Sequence, residues 1–164
     1  MTFKINKNIP PHELLRTCVG TGLGIGGVAL LADLTGFPLI IAPFGASAVL
    51  LYSAVSSPLA QPKNLILGHM ISGFIAISCC NLLGNTLFST VLAVTLAIVC
   101  MMLLDAVHPP GGATALLCML QNTTSYTFLA TPLIAGVLIL FFAAVIASKL
   151  VPKATAYPLR KQIK

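Results

Sequence analysis

Between Thr17 and Ser148 this chain carries only three formally charged side chains, Asp33, Lys63 and Asp105. Six apolar runs fill that interval, at 17–34, 38–56, 65–83, 86–104, 106–120 and 129–150, with short turn-rich connections such as "TGFP", "GN" and "QNTTSYT". Across its 164 residues the chain is 57% hydrophobic and 7% charged, whereas a soluble domain carries about 25% charged residues. It cannot cover a water-facing surface, and its class is integral membrane.

The first, third, fourth and sixth runs are each long enough to cross a hydrocarbon core of about 30 Å as ordinary helices. The second and fifth are interrupted. "PFGASAVL" begins at Pro43 and "PGGATALL" at Pro110. Pro, Gly, Ala, Ala and the final Leu coincide, Ser47 stands opposite Thr114, and Val49 opposite Leu116. A helix from Pro110 to Leu120 rises about 16 Å. The five residues 105–109, if extended, add about 16 Å more. An extended stretch plus a half-helix therefore just crosses, and the same holds for 38–42 followed by 43–56.

The expectation is an all-α integral membrane protein of six segments, arranged as two three-segment repeats, 17–83 and 86–151. Because three is odd, the second repeat is inverted relative to the first. Residues 1–16 read as an N-terminal cytoplasmic segment and 152–164 as a basic cytoplasmic tail. Lys4, Lys7 and Arg16 precede the first run, and Lys149, Lys153, Arg160, Lys161 and Lys164 mark the end of the last. By the positive-inside tendency both termini are cytoplasmic and the crossings even in number. Lys63 then also lies inside. A rival arrangement, four spans with two re-entrant segments, places Lys63 outside. With no signal or transit signature in "MTFKINKNIPPHELLRT", a bacterial inner membrane is the default location.

The interruptions carry the chemistry. A helix that begins within a membrane presents its first N–H groups there. Proline at the first turn costs little because its N–H would be orphaned anyway. Glycine lets a solute approach the amides, and the helix dipole favours an anion. The candidate binding residues are Gly45, Ala46 and Ser47 in the first repeat and Gly111, Gly112, Ala113 and Thr114 in the second. Pro43, Pro109 and Pro110 shape the two turns. A helix end stabilises an anion by about 0.3–2 kcal/mol, whereas desolvating an ion costs tens of kcal/mol. The site must stay wet, or borrow the hydroxyls of Ser47 and Thr114 and nearby cations. The plainer reading is that the Pro-Gly breaks only let helices pack closely. The glycines of "GTGLGIGG", Gly20–Gly27, are read as packing residues.

"DAVHPPGGATAL" together with "FGASAVLLYSAVSSPLAQPKNLILGH" resembles the HPP family of small integral membrane proteins, named for the His-Pro-Pro found here at His108–Pro110. The likeness runs from the first segment to the sixth. Members in chloroplasts and cyanobacteria are implicated in nitrite transport. The resemblance therefore implies a transporter of nitrite or a similar small anion, with the substrate open for members elsewhere. The chain looks like the minimal family form, without an appended cytoplasmic domain.

Candidate gating or coupling residues are Phe44, Lys63, Asn64, His69, Asp105 and His108. An acid at membrane depth is costly and usually functional; Asp105 could titrate, hold Lys63 or His108, or lock its loop. His108 titrates near neutrality when unperturbed, or simply orients the Pro-Pro turn. His69 reads as interfacial. Lys63 attracts anions or enforces topology, Asn64 donates hydrogen bonds beside it, and Phe44 gates the path or fills the core. Asp33 reads as interfacial. The five cysteines lie in apolar segments without a C-x-x-C motif and read as packing residues. No metal-ligand cluster, cofactor motif or nucleophile-like Ser/His spacing is apparent. The expected partners are a small inorganic anion, the bilayer, protons in a coupled cycle and further copies of the chain, and not nucleic acid. A membrane-embedded enzyme and an assembly subunit without a path of its own are the rival functions.

Overall fold

The computed structural model describes residues 8–36 and 41–159. Among them the chain is all-helical. Helix α1 spans Pro11–Thr35, α2 Ala42–Ser53, α3 Pro62–Leu83, α4 Leu87–Leu103, α5 Pro109–Leu120 and α6 Ala135–Leu150. A short 3-10 turn, Pro58–Ala60, joins α2 to α3.

Three apolar helical stretches are long enough to cross a membrane: Pro11–Thr35, Pro62–Leu83 and Leu129–Leu150, of 25, 22 and 22 residues. At ~1.5 Å per residue they measure about 33–38 Å. Helix α1 starts earlier than the apolar run suggested, because Pro11 at its first position pre-sets helical geometry and Glu13 sits in the first turn. Helices α2, α4 and α5 are shorter, at 12, 17 and 12 residues.

The sixth segment is not the ordinary helix expected. Its first turn, Leu129–Ile134, is π-helical, with Thr131 at φ −139° and ψ 120°. Pro132 disfavours helical geometry at the residue before it, which accounts for the break. The 38–42 stretch expected to be extended lies largely outside the described residues; Ile41, its one described member before α2, is extended.

Contacts between element ends show how the chain runs. At one end, the Thr17 hydroxyl of α1 donates to the Tyr52 carbonyl at the end of α2. There too Thr155 donates to Glu13 through both its amide and hydroxyl, at 2.8 and 2.7 Å. The Tyr157 hydroxyl donates to the Ala60 carbonyl at 2.8 Å, and Lys63 at the start of α3 meets Asp105 just past α4. At the other end, Asn81 of α3 donates to Thr124 at 2.9 Å, beyond α5. Successive elements thus alternate in direction, and the start of α1 lies beside the segment that follows α6.

Two apolar clusters form the core. One joins α1, α2 and α6 around Phe44, Leu51, Tyr52, Val137 and Leu140. The other joins α3, α4 and α5 around Ala76, Ile77, Ala93, Ala97, Ala115 and Met119. In the first, Gly20 and Gly24 provide the groove for the Tyr52 ring, as their spacing predicted: a Cβ at Gly20 would stand 2.6 Å from Tyr52 Cδ1, and one at Gly24 would overlap the hydroxyl. That hydroxyl donates to the Leu140 carbonyl at 3.0 Å. Helices α2 and α5 pack on each other between the two clusters.

Candidate functional site

Both half-helices begin abruptly from extended residues. Ile41 precedes α2 at φ −122° and ψ 144°, and His108 precedes α5 at φ −137° and ψ 105°. Proline at the next positions fixes φ for helix entry and prevents the preceding residue from being helical. The start of α5 lies inside the bundle. Gly111 touches Gly68, six residues beyond the start of α3, which is about 9 Å along that helix.

The α5 terminus offers fewer bare amides than its glycines suggest. Pro109 and Pro110 have no N–H, and the Gly111 N–H donates to the His108 carbonyl at 2.8 Å. Gly111 is sealed as well: an added Cβ would stand 2.7 Å from the Gly68 carbonyl oxygen and 2.9 Å from Ser72 Oγ. Gly112 is the first amide position without such enclosure, and nothing lies within 4 Å of where its Cβ would be. Gly45 of α2 is equally open. Ala46 and Ala113 are exposed beside them. A cavity of about 200 Å³ lined by Ile25, Val28, Ile41, Ala42, Phe44 and Gly45 opens at the α2 terminus.

Ser47 and Thr114 face the other way, into the protein, and both are fully buried. Each is two positions from its open glycine, about 200° around a helix. Between them lie two fully buried histidines, His69 of α3 and His108. Ser47 Oγ is 2.8 Å from His69 Nε2 and 2.9 Å from His108 Nε2. His69 Nδ1 is 2.7 Å from Thr114 Oγ1, and His108 Nδ1 is 2.8 Å from the Leu59 carbonyl oxygen. The two imidazole centroids stand 5.0 Å apart.

Hydrogen-bond rules fix the proton positions when both rings are neutral. A carbonyl only accepts, so His108 Nδ1 is the protonated nitrogen and its Nε2 accepts. Ser47 must give its single proton to that Nε2. Its lone pair then receives the Nε2–H of His69, whose Nδ1 accepts from Thr114. Four bonds run in one direction, from Thr114 through His69, Ser47 and His108 to Leu59. No buried side-chain polar atom among the described residues lacks a partner.

His69 is therefore central, not interfacial as its position near the start of α3 suggested. The sign was present in the pattern Gly68, His69, Ser72, Gly73, Ala76, one helical face of small and polar residues in an otherwise apolar helix. A Ser/His pair also exists in space although no sequence spacing revealed it, because its members come from three separate elements.

The remaining candidates separate into two groups. Phe44 packs against Gly136 of α6, where a Cβ would overlap its ring, and its ring stands nearly perpendicular to that of His69 with the centroids 6.0 Å apart. Asp105 is not buried. Its side chain is 98% exposed and pairs with Lys63 at 3.0 Å, and its backbone takes φ 50°. Asn64 donates to the Val107 carbonyl at 2.8 Å. Lys63, Asn64 and Asp105 thus pin the loop that delivers His108, and they do not touch the histidines. Among the described residues no three His, Cys, Asp or Glu side chains converge as a metal centre requires. A cavity of about 790 Å³ lies elsewhere, between the start of α1 and the end of α2, lined by Glu13, Arg16 and Lys153 among others.

Comparison with known proteins agrees with this architecture. Residues 6–158 match the HPP transmembrane region. One transmembrane protein of Dictyostelium discoideum is 36% identical over 128 residues, covering 74% of this chain and 45% of that protein. A second from the same organism is 38% identical over 121 residues, covering 70% and 39%. The chain thus spans less than half the length of these curated relatives. No solved structure matches.

Proposed function

The chain belongs to the HPP family of transmembrane proteins, and on that premise we propose that it carries a small monovalent anion, nitrite first among candidates, across the membrane. The observation that supports this most is the pair of 12-residue helices that start abruptly from extended residues with matching Gly-Ala-Ser and Gly-Ala-Thr turns. The anion rests near Gly45 and Ala46 on α2 and near Gly112 and Ala113 on α5. These positions combine open backbone with the positive end of a helix dipole. Gly111, Ser47 and Thr114 act from behind as the packed wall of the site. Phe44, His69 and His108 set its shape, and Lys63 with Asp105 and Asn64 holds the approach loop.

We read the two halves as inverted repeats with broken second and fifth segments. Phe44 packs on Gly136, while its counterpart 67 residues on, Gly111, packs on Gly68. Gly136 is in turn 67 residues beyond His69, the neighbour of Gly68. The partnerships of α1 with α6 and of α3 with α4 exchange under the same relation. In this reading the chain lies in a cytoplasmic membrane with both termini inside. Its open faces, Ala42, Gly45, Ala46 and Val49 on α2 and Pro109, Gly112, Ala113 and Leu116 on α5, meet further copies of the chain around the path.

A flux panel tests this. Protein in liposomes is expected to take up nitrite faster than protein-free vesicles do. Background rates for nitrite, nitrate, formate and chloride alike would remove the proposal. Hydrolysis is the reading from another class, favoured by the Ser47–His108–Leu59 alignment. Against it stands the complete enclosure of Ser47 between two imidazoles.

A further inference from the structure

We propose that Ser47, His69, His108 and Thr114 form a one-proton relay, in which uptake of a single proton reverses every hydrogen bond between the four and leaves the charge on His108. The geometry contains both states. The Thr114 hydroxyl has two acceptors within reach, His69 Nδ1 at 2.7 Å and its own helix's Pro110 carbonyl at 3.3 Å, but only one proton to give. In the neutral state that proton goes to His69.

The reversal balances atom by atom. A proton from hydronium enters at Thr114 Oγ1 when a local opening of α5 exposes that buried hydroxyl to water, and the hydroxyl's own proton passes to His69 Nδ1. The O–H that remains on Thr114 turns to the Pro110 carbonyl. The Nε2–H of His69 passes to Ser47 Oγ, and the proton formerly on Ser47 passes to His108 Nε2. His69 ends neutral with its proton on Nδ1, Ser47 donates back to His69 Nε2, and His108 is the cation. Its Nδ1–H still donates to Leu59 and its new Nε2–H to Ser47. Every donor again has an acceptor. Charging His69 instead would turn only Thr114, but both nitrogens of that cation would face hydroxyl oxygens. A cation on His108 donates to the Leu59 carbonyl, a stronger acceptor for a charged donor, so the network favours His108 as the store.

The surroundings suit a single charge. Phe44 of α2, Gly68 of α3 and Gly111 of α5 close around the rings, and Ser72 lies beside Gly111 with its hydroxyl on Met101 of α4 at 3.8 Å. From α6, Gly136 packs behind Phe44. Lys63 and Asp105, on the two segments that carry His69 and His108, neutralise one another at the exposed end. Arg16, the buried cation of α1, is taken by Glu13 at 2.8 Å. Among the described residues no other titratable side chain hydrogen-bonds to the four.

This rests in part on the anion reading, and it supplies what that reading lacks. A helix end alone offsets little of an anion's desolvation. A cation on His108, at the residue that starts α5, provides a full counter-charge beside Gly112. Anion and proton then cross as a neutral pair.

Nitrogen-15 NMR of histidine-labelled protein in lipid nanodiscs, in a His12→Gln background, separates the two proposals. Near neutral pH, His69 is expected to carry its proton on Nε2 and His108 on Nδ1. On acidification His108 becomes doubly protonated, and His69 moves its proton to Nδ1 at the same midpoint. A His69 that keeps its Nε2 proton while His108 is charged, or that itself becomes a cation, overturns the relay. Ser47→Ala should uncouple the two rings, and where that variant does not fold, Thr114→Val tests the other joint. A tautomer switch without anion uptake keeps the relay and removes the transport reading. Uptake without the switch does the reverse.

Discussion

Ser47 and His108 are 61 residues apart in the chain, yet the serine oxygen lies 2.9 Å from the imidazole Nε2 with neither side chain exposed. That contact ties the second turn of α2 to the residue that starts α5, and His69 closes the same serine from α3 at 2.8 Å. Ser47→Ala removes the shared partner of two ring nitrogens. A buried polar group left unsatisfied costs about 1–3 kcal/mol. The variant is expected to unfold more readily by a few kcal/mol in a denaturant or thermal series in detergent, while Ser53→Ala, an exposed serine bonded only within its own helix, should be near neutral.

The neighbouring glycines Gly111 and Gly112 should respond in opposite ways. Gly111→Ala drives a methyl into the Gly68 carbonyl at 2.7 Å, where the obstacle is backbone and cannot swing aside. Overpacking of this kind costs about 1–3 kcal/mol. Gly112→Ala meets nothing within 4 Å and should leave the melting temperature unchanged or slightly raised, since alanine favours a helix over glycine by about 1 kcal/mol. Melting curves of the two variants side by side check this.

The Lys63–Asp105 pair should matter little to stability. Its members are 51% and 98% exposed, and such pairs contribute about 0–1 kcal/mol. Asp105→Asn is expected to fall within that range. Asp105→Gly should be as stable or better, because the backbone there sits at φ 50°, where glycine carries no steric penalty.

Alkaline pH should release the segment that follows α6. Burial pushes the Tyr157 phenol well above its ordinary value of 10.0, and its hydroxyl donates to Ala60. A group raised in the folded state contributes stability that is complete below its unfolded value and fades as pH rises past it. Protease sensitivity around 151–159 is therefore expected to increase above about pH 10, and Tyr157→Phe should show higher sensitivity already at neutral pH.

The helical membrane class, the element order and the two abrupt helix starts were legible because each rests on local chemistry: apolar run length, and proline followed by glycine. The packing role of Gly20 and Gly24 was legible for the same reason. The histidine network was not. Ser47 and Thr114 appeared as companions of the open glycines, but a helix turns about 200° in two residues, so they face inward. Leu59 contributes through its carbonyl, which no side-chain pattern can announce. Asp105 looked buried because its sequence neighbours are apolar; a left-handed backbone turn carries it outward to Lys63.

Nitrite uptake into proteoliposomes, measured for the wild type and for Gly112→Leu, tests the central claim most directly. The open space at Gly112 lets the larger side chain fold in place while covering the start of α5. The expected result is uptake by the wild type and its loss in the variant, with the two proteins matching in thermal stability. Equal uptake by both, or by wild type and empty vesicles, would contradict it.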